Sequence, residues 1–282
     1  MSKIIAAVDF SESSLNAFLH ALSVAKHCES DIELIWVKKS ASEKDVFDPK
    51  LDPDKEVIKK FEEMISKYGA ELPYNKITMK IRSGKVFKEI TDEAKETDAM
   101  MIIAGTHGAS VFVEFWIGSN ANRIISLAPC PVVTIRAGLD VDRPLKRILL
   151  PIDSSMETRQ KATFTGYLAR QHNAEIEILS MYTSNLKDVK MQVDKYARQV
   201  ADFFDKEGVK WNLNGIKVDN FAIDMIDHAK KVNANMISIM KNQESSASNL
   251  WMGPYTQQIV NLSPIPVLVI HSKDTLKSGA EF

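Results

Sequence analysis

Apolar residues in this chain fall into short blocks of alternating character. Lys3 to Val8 is an apolar run closed by Asp9, the length and pattern of a buried strand. Ser11-Glu12-Ser13-Ser14 follows, residue types that open helices. Leu15, Phe18, Leu19, Leu22 and Ala25 then recur along one helical face. Asp31 to Val37 reads as a second strand, residues 38 to 52 as a long polar surface loop ending before Pro53, and Val57, Ile58, Phe61, Met64, Ile65 and Tyr68 as an amphipathic helix. Ile77, Met79 and Ile81 alternate as a third strand, and Ser83-Gly84 turns the chain into a helix from Val86 to Lys95. A fourth strand, Ala99 to Ala104, runs into Gly105-Thr106-His107-Gly108. Nine residues later Gly118-Ser119 opens a helix over Asn120 to Leu127. Pro129-Cys130-Pro131 stops that helix, and Val132 to Ile135 is a last strand. Strict alternation of strand and helix predicts an α/β fold with a parallel, doubly wound sheet of five strands.

The pattern then repeats. Residues 137 to 146 read as a linker, and Arg147 to Asp153 echoes Lys3 to Asp9 at an offset of 144. Further on the offset is 135, which sets Met101-Ile102 against Met236-Ile237, Trp116 against Trp251, and Pro129/Pro131 against Pro264/Pro266. The nine-residue difference falls between the second strand and the third helix, so the second copy shortens the loop at 38 to 52. An internal duplication of one domain is the simplest account, with domains at 1–138 and 144–282. The last residues, 272 to 282, are polar and read as a frayed tail.

Composition narrows the function. Of 282 residues, 45% are hydrophobic and 26% charged, and the net charge is -1. That supports sizeable cores and gives no general basic field for nucleic acid. Cys28 and Cys130 are far apart and read as buried apolar residues rather than a disulfide or metal cluster. The chain enters its first strand pattern directly, without a signal-peptide pattern. Its apolar runs fall short of the ~20 residues a membrane helix needs. The expectation is a cytoplasmic protein with neither membrane nor nucleic-acid partners.

The glycine stretch is the best chemical clue. Glycine lets backbone come close to a ligand, and a helix N-terminus offers unpaired N–H groups at the positive end of its dipole. A strand ending in Gly105 and a helix opening at Gly118-Ser119 therefore suit a phosphate. No P-loop of the G-x4-G-K-S/T type and no glycine-rich pyrophosphate turn after the first strand is present.

The spacing Gly105-x2-Gly108-x9-Gly118-Ser119 after the fourth strand, with Val8-Asp9-Phe10-Ser11 at the start and Ala128-Pro129-Cys130-Pro131-Val132-Val133 at the end, resembles the universal stress protein family. The likeness covers both halves, as in a tandem member. It implies two Rossmann-like domains of the adenine nucleotide alpha hydrolase type, joined through their last strands as an intramolecular pseudo-dimer, with further pairing into a homodimer left open. It implies an adenine nucleotide as ligand (ATP, ADP or AMP, with Mg2+ as an optional companion) and a protein partner that reads its occupancy. In that family's manner, Asp9 faces the adenine or ribose and Val37 lines the adenine pocket through its backbone. Gly105, His107 and Gly108 approach ribose and phosphates. Gly118, Ser119, Asn120 and Ala121 offer backbone N–H groups, and Ser119 a hydroxyl. The bottom-up alternative for Asp9 is a cap on the first helix.

In the second copy Gly105 becomes Met240, Gly108 becomes Gln243 and Ser119 becomes Pro254, while Gly253 is kept. Met and Gln put side chains where backbone must approach phosphate, and Pro254 lacks an N–H. The second half is thus expected not to bind nucleotide in the same way. Since its fold is kept, Gly105, Gly108 and Ser119 are expected to serve a ligand rather than the fold. His107 lacks a visible proton-transfer partner, Trp116 and Trp251 read as packing residues, and no nucleophile, base or metal cluster is assigned. A regulatory nucleotide-binding protein is therefore favoured, with at most weak ATPase activity. The alternatives are a slow ATP hydrolase or adenylyl-transfer enzyme, and an interaction module that binds no nucleotide.

Overall fold

The protein is described by a computed structural model over residues 2–38, 53–72, 75–106, 118–138, 144–241 and 253–271. The first half runs β1 (Lys3–Ala7), α1 (Glu12–Cys28), β2 (Asp31–Lys38), α2 (Pro53–Tyr68), β3 (Ile77–Ser83), α3 (Val86–Glu96), β4 (Met101–Gly105), α4 (Ser119–Leu127) and β5 (Val132–Ile135). The second half repeats it: β6 (Arg147–Ile152), α5 (Ala162–His172), β7 (Glu175–Tyr182), α6 (Lys187–Lys206), β8 (Trp211–Lys217), α7 (Phe221–Lys231), β9 (Met236–Met240), α8 (Pro254–Leu262) and β10 (Val267–Ile270). Even the end of the first helix recurs, with Glu29 and Asn173 both left-handed at φ 49°. The connection from β7 to α6 takes only residues 183–186, against 39–52 in the first half, as the change of offset implies.

The ten strands form one sheet in the order β3-β2-β1-β4-β5-β10-β9-β6-β7-β8. Within each half all neighbours are parallel, and the halves meet where β5 and β10 pair antiparallel, Val133 opposite Leu268. Both strands are continuous apolar or β-branched runs, buried at every position. Left as edges they would expose bonding groups and apolar surface, and pairing with each other removes both. The two halves thus pack as a pseudo-dimer.

Alternate strand residues feed two apolar layers. Ile4, Ile32, Leu34, Ile103, Ile148 and Ile176 pack under α1, α2, α5 and α6, and Ile5, Ile35, Ile102, Leu149, Leu179 and Ile237 under α3, α4, α7 and α8. Each layer continues across the β5–β10 seam. Two further bonds tie the halves: His271 Nε2 lies 2.7 Å from the Ile125 carbonyl, and Lys241 donates to that of Ser126. Both meet carbonyls that the end of α4 cannot satisfy internally.

The outermost strands depart from the simple pattern. Ile77, Met79 and Ile81 alternate in sequence as if facing a core, yet Met79 is 36% exposed and only Ile77 is fully buried. Its counterpart β8 likewise leaves Leu213 exposed. Each is an edge of the sheet with a neighbour on one side only, so helix cover runs out there. Cys28 and Cys130 are both buried and are not joined in a disulfide. No described helix is long and apolar enough to cross a membrane.

Candidate functional site

The first-half site lies at the carboxyl ends of β1, β2 and β4, where the order of strands reverses between β1 and β4, the usual position of ligands in open α/β sheets. Gly105 is the last residue of β4. A Cβ built on it would stand 2.6 Å from Ser13 Oγ and 2.9 Å from the Ser13 backbone carbon. The first turn of α1 thus sits directly on this glycine. This corrects the expectation that Gly105 serves a ligand and not the fold. The second half lacks this glycine. Met240 takes the place of Gly105 at the end of β9, the chain after β6 makes only a 3-10 turn over Met156–Arg159, and the helix proper begins at Ala162.

Asp9 is exposed just beyond β1. Its Oδ1 accepts from both the N–H and the hydroxyl of Ser11, and its own N–H donates to Ser14 Oγ at 3.2 Å. Ser11, not Asp9, caps α1, by accepting from the Ser14 N–H. Asp9 is therefore held as part of a turn at the mouth of the site, which corrects its reading as the helix cap.

Val37 lies in the last turn of the β2 ladder and is buried. Ile35 accepts from Val8 on the β1 side, whereas Ile32 and Lys38 bond on the β3 side. Backbone groups alternate sides along a strand, so Val37 directs its N–H and carbonyl toward β1. The β1–β2 pairing ends at Ala7 opposite Ile35, which leaves the Val37 backbone facing the space beyond β1.

The N-terminus of α4 is anchored at the same place. The Gly118 N–H donates to the carbonyl of Thr106, the residue after β4, at 2.8 Å. That bond removes Gly118 from the set of available donors, a second correction. The first intrahelical bond is Asn122 to the Gly118 carbonyl, so the N–H groups of Ser119, Asn120 and Ala121 have no partner within the helix. Ser119 and Asn120 are exposed and Ala121 is buried. The structure thus gathers Asp9, Val37, Gly105 and the opening of α4 at one end of the sheet. His107, Gly108 and Trp116, together with Gln243 and Trp251 of the second copy, lie outside the described residues, as do residues 39–52 and the tail at 272–282.

The equivalent place in the second half holds a cleft of about 550 Å3. Its apolar wall includes Pro151, Val218, Ile239, Met240 and Ile259. At its rim the Phe221 and Tyr255 rings meet at 5.5 Å and 49°. The polar wall carries Asp153, Ser155, Thr158 and Lys161. Asp153 Oδ1 accepts from the N–H and hydroxyl of Ser155, and the Asp153 N–H donates to Thr158 Oγ1 at 3.1 Å, the same turn as around Asp9. Lys161 is 2% exposed and donates to the Thr158 carbonyl at 2.6 Å and to Thr158 Oγ1 at 3.1 Å. Burial pulls its pKa down to about 8, against the attraction of Asp153. Sequence reasoning missed this residue. The available signal was a lysine at the helix position that holds Ala17 in the first copy.

The sequence matches the model of the universal stress protein family twice, over residues 1–136 and 144–271. A universal stress protein of Methanocaldococcus jannaschii is 27% identical over 143 residues, covering 48% of this chain and 81% of that protein. One of Bacillus subtilis is 26% identical over 148 residues, covering 48% of this chain and 99% of that protein. Over the whole length, a crystal structure of a universal stress protein from Archaeoglobus fulgidus superposes with a TM-score of 0.73 at 18% identity, covering 96% of this chain and 98% of that one.

Proposed function

This chain belongs to the universal stress protein family, and from that premise we propose that it is a regulatory protein that binds one adenine nucleotide in its first half. The observation that carries the reading is the opening of α4. Three consecutive N–H groups, on Ser119, Asn120 and Ala121, have no partner within the helix, and the Gly118–Thr106 bond holds them at the end of β4. Such an array at the positive end of a helix suits a phosphate. The outward-facing backbone of Val37 suits the edge of a base, and Asp9, braced by Ser11, suits the hydroxyls of a ribose. Mg2+ would accompany a di- or triphosphate.

In this reading residues 1–138 carry the site and 144–282 form the degenerate copy. ATP, ADP and AMP are the candidate ligands, and occupancy is read by a protein partner in the cytoplasm. Native mass spectrometry of the purified chain with each nucleotide in turn tests it. One added nucleotide per chain is the expected result. A chain that takes up none of the three would contradict it, and steady release of phosphate from ATP would favour an enzyme instead.

A further inference from the structure

Three of the six histidines meet where α1 of the first half packs on α5 of the second. His27 and His172 stack at 4.1 Å with their planes 25° apart, and His20 lies close enough for its charge to act on His172. Elsewhere His228 and His271 have acceptors, Glu177 and the Ile125 carbonyl. In the cluster, His20 Nε2 and His172 Nε2 are buried without a hydrogen-bond partner, while His27 Nδ1 meets the Ser23 carbonyl at 2.8 Å. The surroundings supply little to offset a positive charge. On the two helices, Cys28 lies against Tyr167, with Glu29 and Arg170 near that tyrosine. Arg170 is paired with Glu207 and Lys26 with Glu71. The strands beneath turn apolar residues to α1 and α5. Their charged residues are engaged elsewhere: Lys3 with Glu33, Lys38 with Asp54, Arg147 with Glu175, Glu177 with His228, and Asp31 with the Lys76 N–H. Among the described residues the one histidine in an ion pair is His228. A buried ring nitrogen with no acceptor is tolerated neutral and penalised when charged.

We propose that the α1–α5 contact is an acid-sensitive joint between the two halves: it stays closed while its imidazoles are neutral, and it opens, with the β5–β10 seam still paired, when His20 and His172 take up protons. The seam itself has nothing to titrate, since β5 and β10 read VVTI and VLVI and hold to each other through backbone bonds. The closed contact resists protonation. Burial pulls His20 down to about 4, and burial with the neighbouring imidazoles pulls His172 down to about 3. Once the helices part, each ring returns to its ordinary value near 6.5. Acid therefore favours the open form, by about tenfold per histidine for each pH unit below 6.5. The joint also shares a helix with the first-half site, because α1 begins at the Ser11 cap and at Ser13, which packs on Gly105. The joint itself does not depend on nucleotide binding there.

Amide hydrogen exchange of the full chain without nucleotide, from pH 7 to pH 5 and corrected for intrinsic rates, tests this. Peptides over residues 20–28 of α1 and 164–172 of α5 report the joint, and those over β5 and β10 report the seam. In the parent protein the helix amides should open more often than the seam amides, and their opening should rise up to about a hundredfold between pH 6.5 and pH 5.5, tenfold for each of two histidines. His20→Phe and, separately, His172→Phe should each reduce that rise to about tenfold. The second variant keeps an aromatic ring against His27 and serves if the first fails to fold. Helix amides that exchange only as fast as the seam at every pH would show that the molecule opens as a whole, and would overturn the proposal. So would a pH dependence of the helix amides that neither substitution reduces.

Discussion

Gly105 shows how one residue can carry two explanations. Its place after a strand, with Gly108 and Gly118 beyond, pointed to a ligand. The contact with Ser13 is invisible in sequence, because it depends on how closely α1 descends on β4. Gly105→Ala forces a methyl group to within 2.9 Å of backbone, and overpacking of this kind costs about 1–3 kcal/mol. Chemical denaturation should show that loss with no nucleotide present, and an undiminished stability would contradict the packing account. His20 makes a second residue-scale case. It is buried, its Nε2 has no hydrogen-bond partner among the described residues, and burial pulls its pKa down to about 4. His172, stacked on His27 at 4.1 Å across the α1–α5 contact, is held down to about 3 by burial and by the neighbouring histidines. Both bind protons more readily when unfolded. Their neutral forms therefore favour the fold above about pH 6.5, and that advantage is lost as pH falls toward 4 and 3. For His20 alone the shift corresponds to about 3 kcal/mol at 1.36 kcal/mol per unit. Denaturation midpoints measured from pH 7 to pH 4 should fall, and His20→Phe, which puts in the residue type of Phe164, should flatten the slope.

Among elements, helices and strands were legible because their apolar periods are clean and their punctuation is strong. Ser11 opens α1, Pro129 and Pro131 close α4, and the shortened β7–α6 connection was readable from the change of offset alone. Edge positions were not legible. Met79 and Leu213 follow the same period-two pattern as buried strands, and only the order of strands reveals that they lie on the edge strands of the sheet. Helix openings were half legible: the sequence placed Gly118-Ser119 at the start of α4 but could not show that the Gly118 N–H is spent on Thr106. The two copies offer a direct exchange. Pro is well accommodated at the first position of a helix, as Pro254 shows in α8. Ser119→Pro should therefore leave stability within about 0.5 kcal/mol, as for surface changes in general. It removes one N–H and one hydroxyl from the proposed phosphate position. Charge-assisted bonds are worth about 1.5–3 kcal/mol each, so nucleotide affinity should fall at least tenfold in a binding titration. An affinity equal to that of the parent protein would move the phosphate elsewhere.

At the scale of the whole molecule, the duplication was evident from the repeated Pro-x-Pro and apolar blocks, and the resemblance supplied the pairing of the last strands. The continuity of the result was not legible: one ten-stranded sheet with both apolar layers running through the seam, and with His271 and Lys241 closing the end of α4 from the other half. Halves joined in this way should unfold together. Calorimetry should give a single transition, and Leu268→Ala, a fully buried position on the seam, should lower it as one unit, since such truncations cost about 2–5 kcal/mol. Two separable transitions in the parent protein would contradict a shared core. The proposed function rests on the same asymmetry between copies, because the fold is present twice and the Gly105, Gly108, Gly118 and Ser119 spacing once. The most direct test is to count ATP bound per chain by calorimetric titration, with Ser119→Pro as control. The account predicts one ATP per chain in the parent protein and its loss or severe weakening in the variant. Two equivalent sites per chain, or one site indifferent to Ser119→Pro, would contradict it.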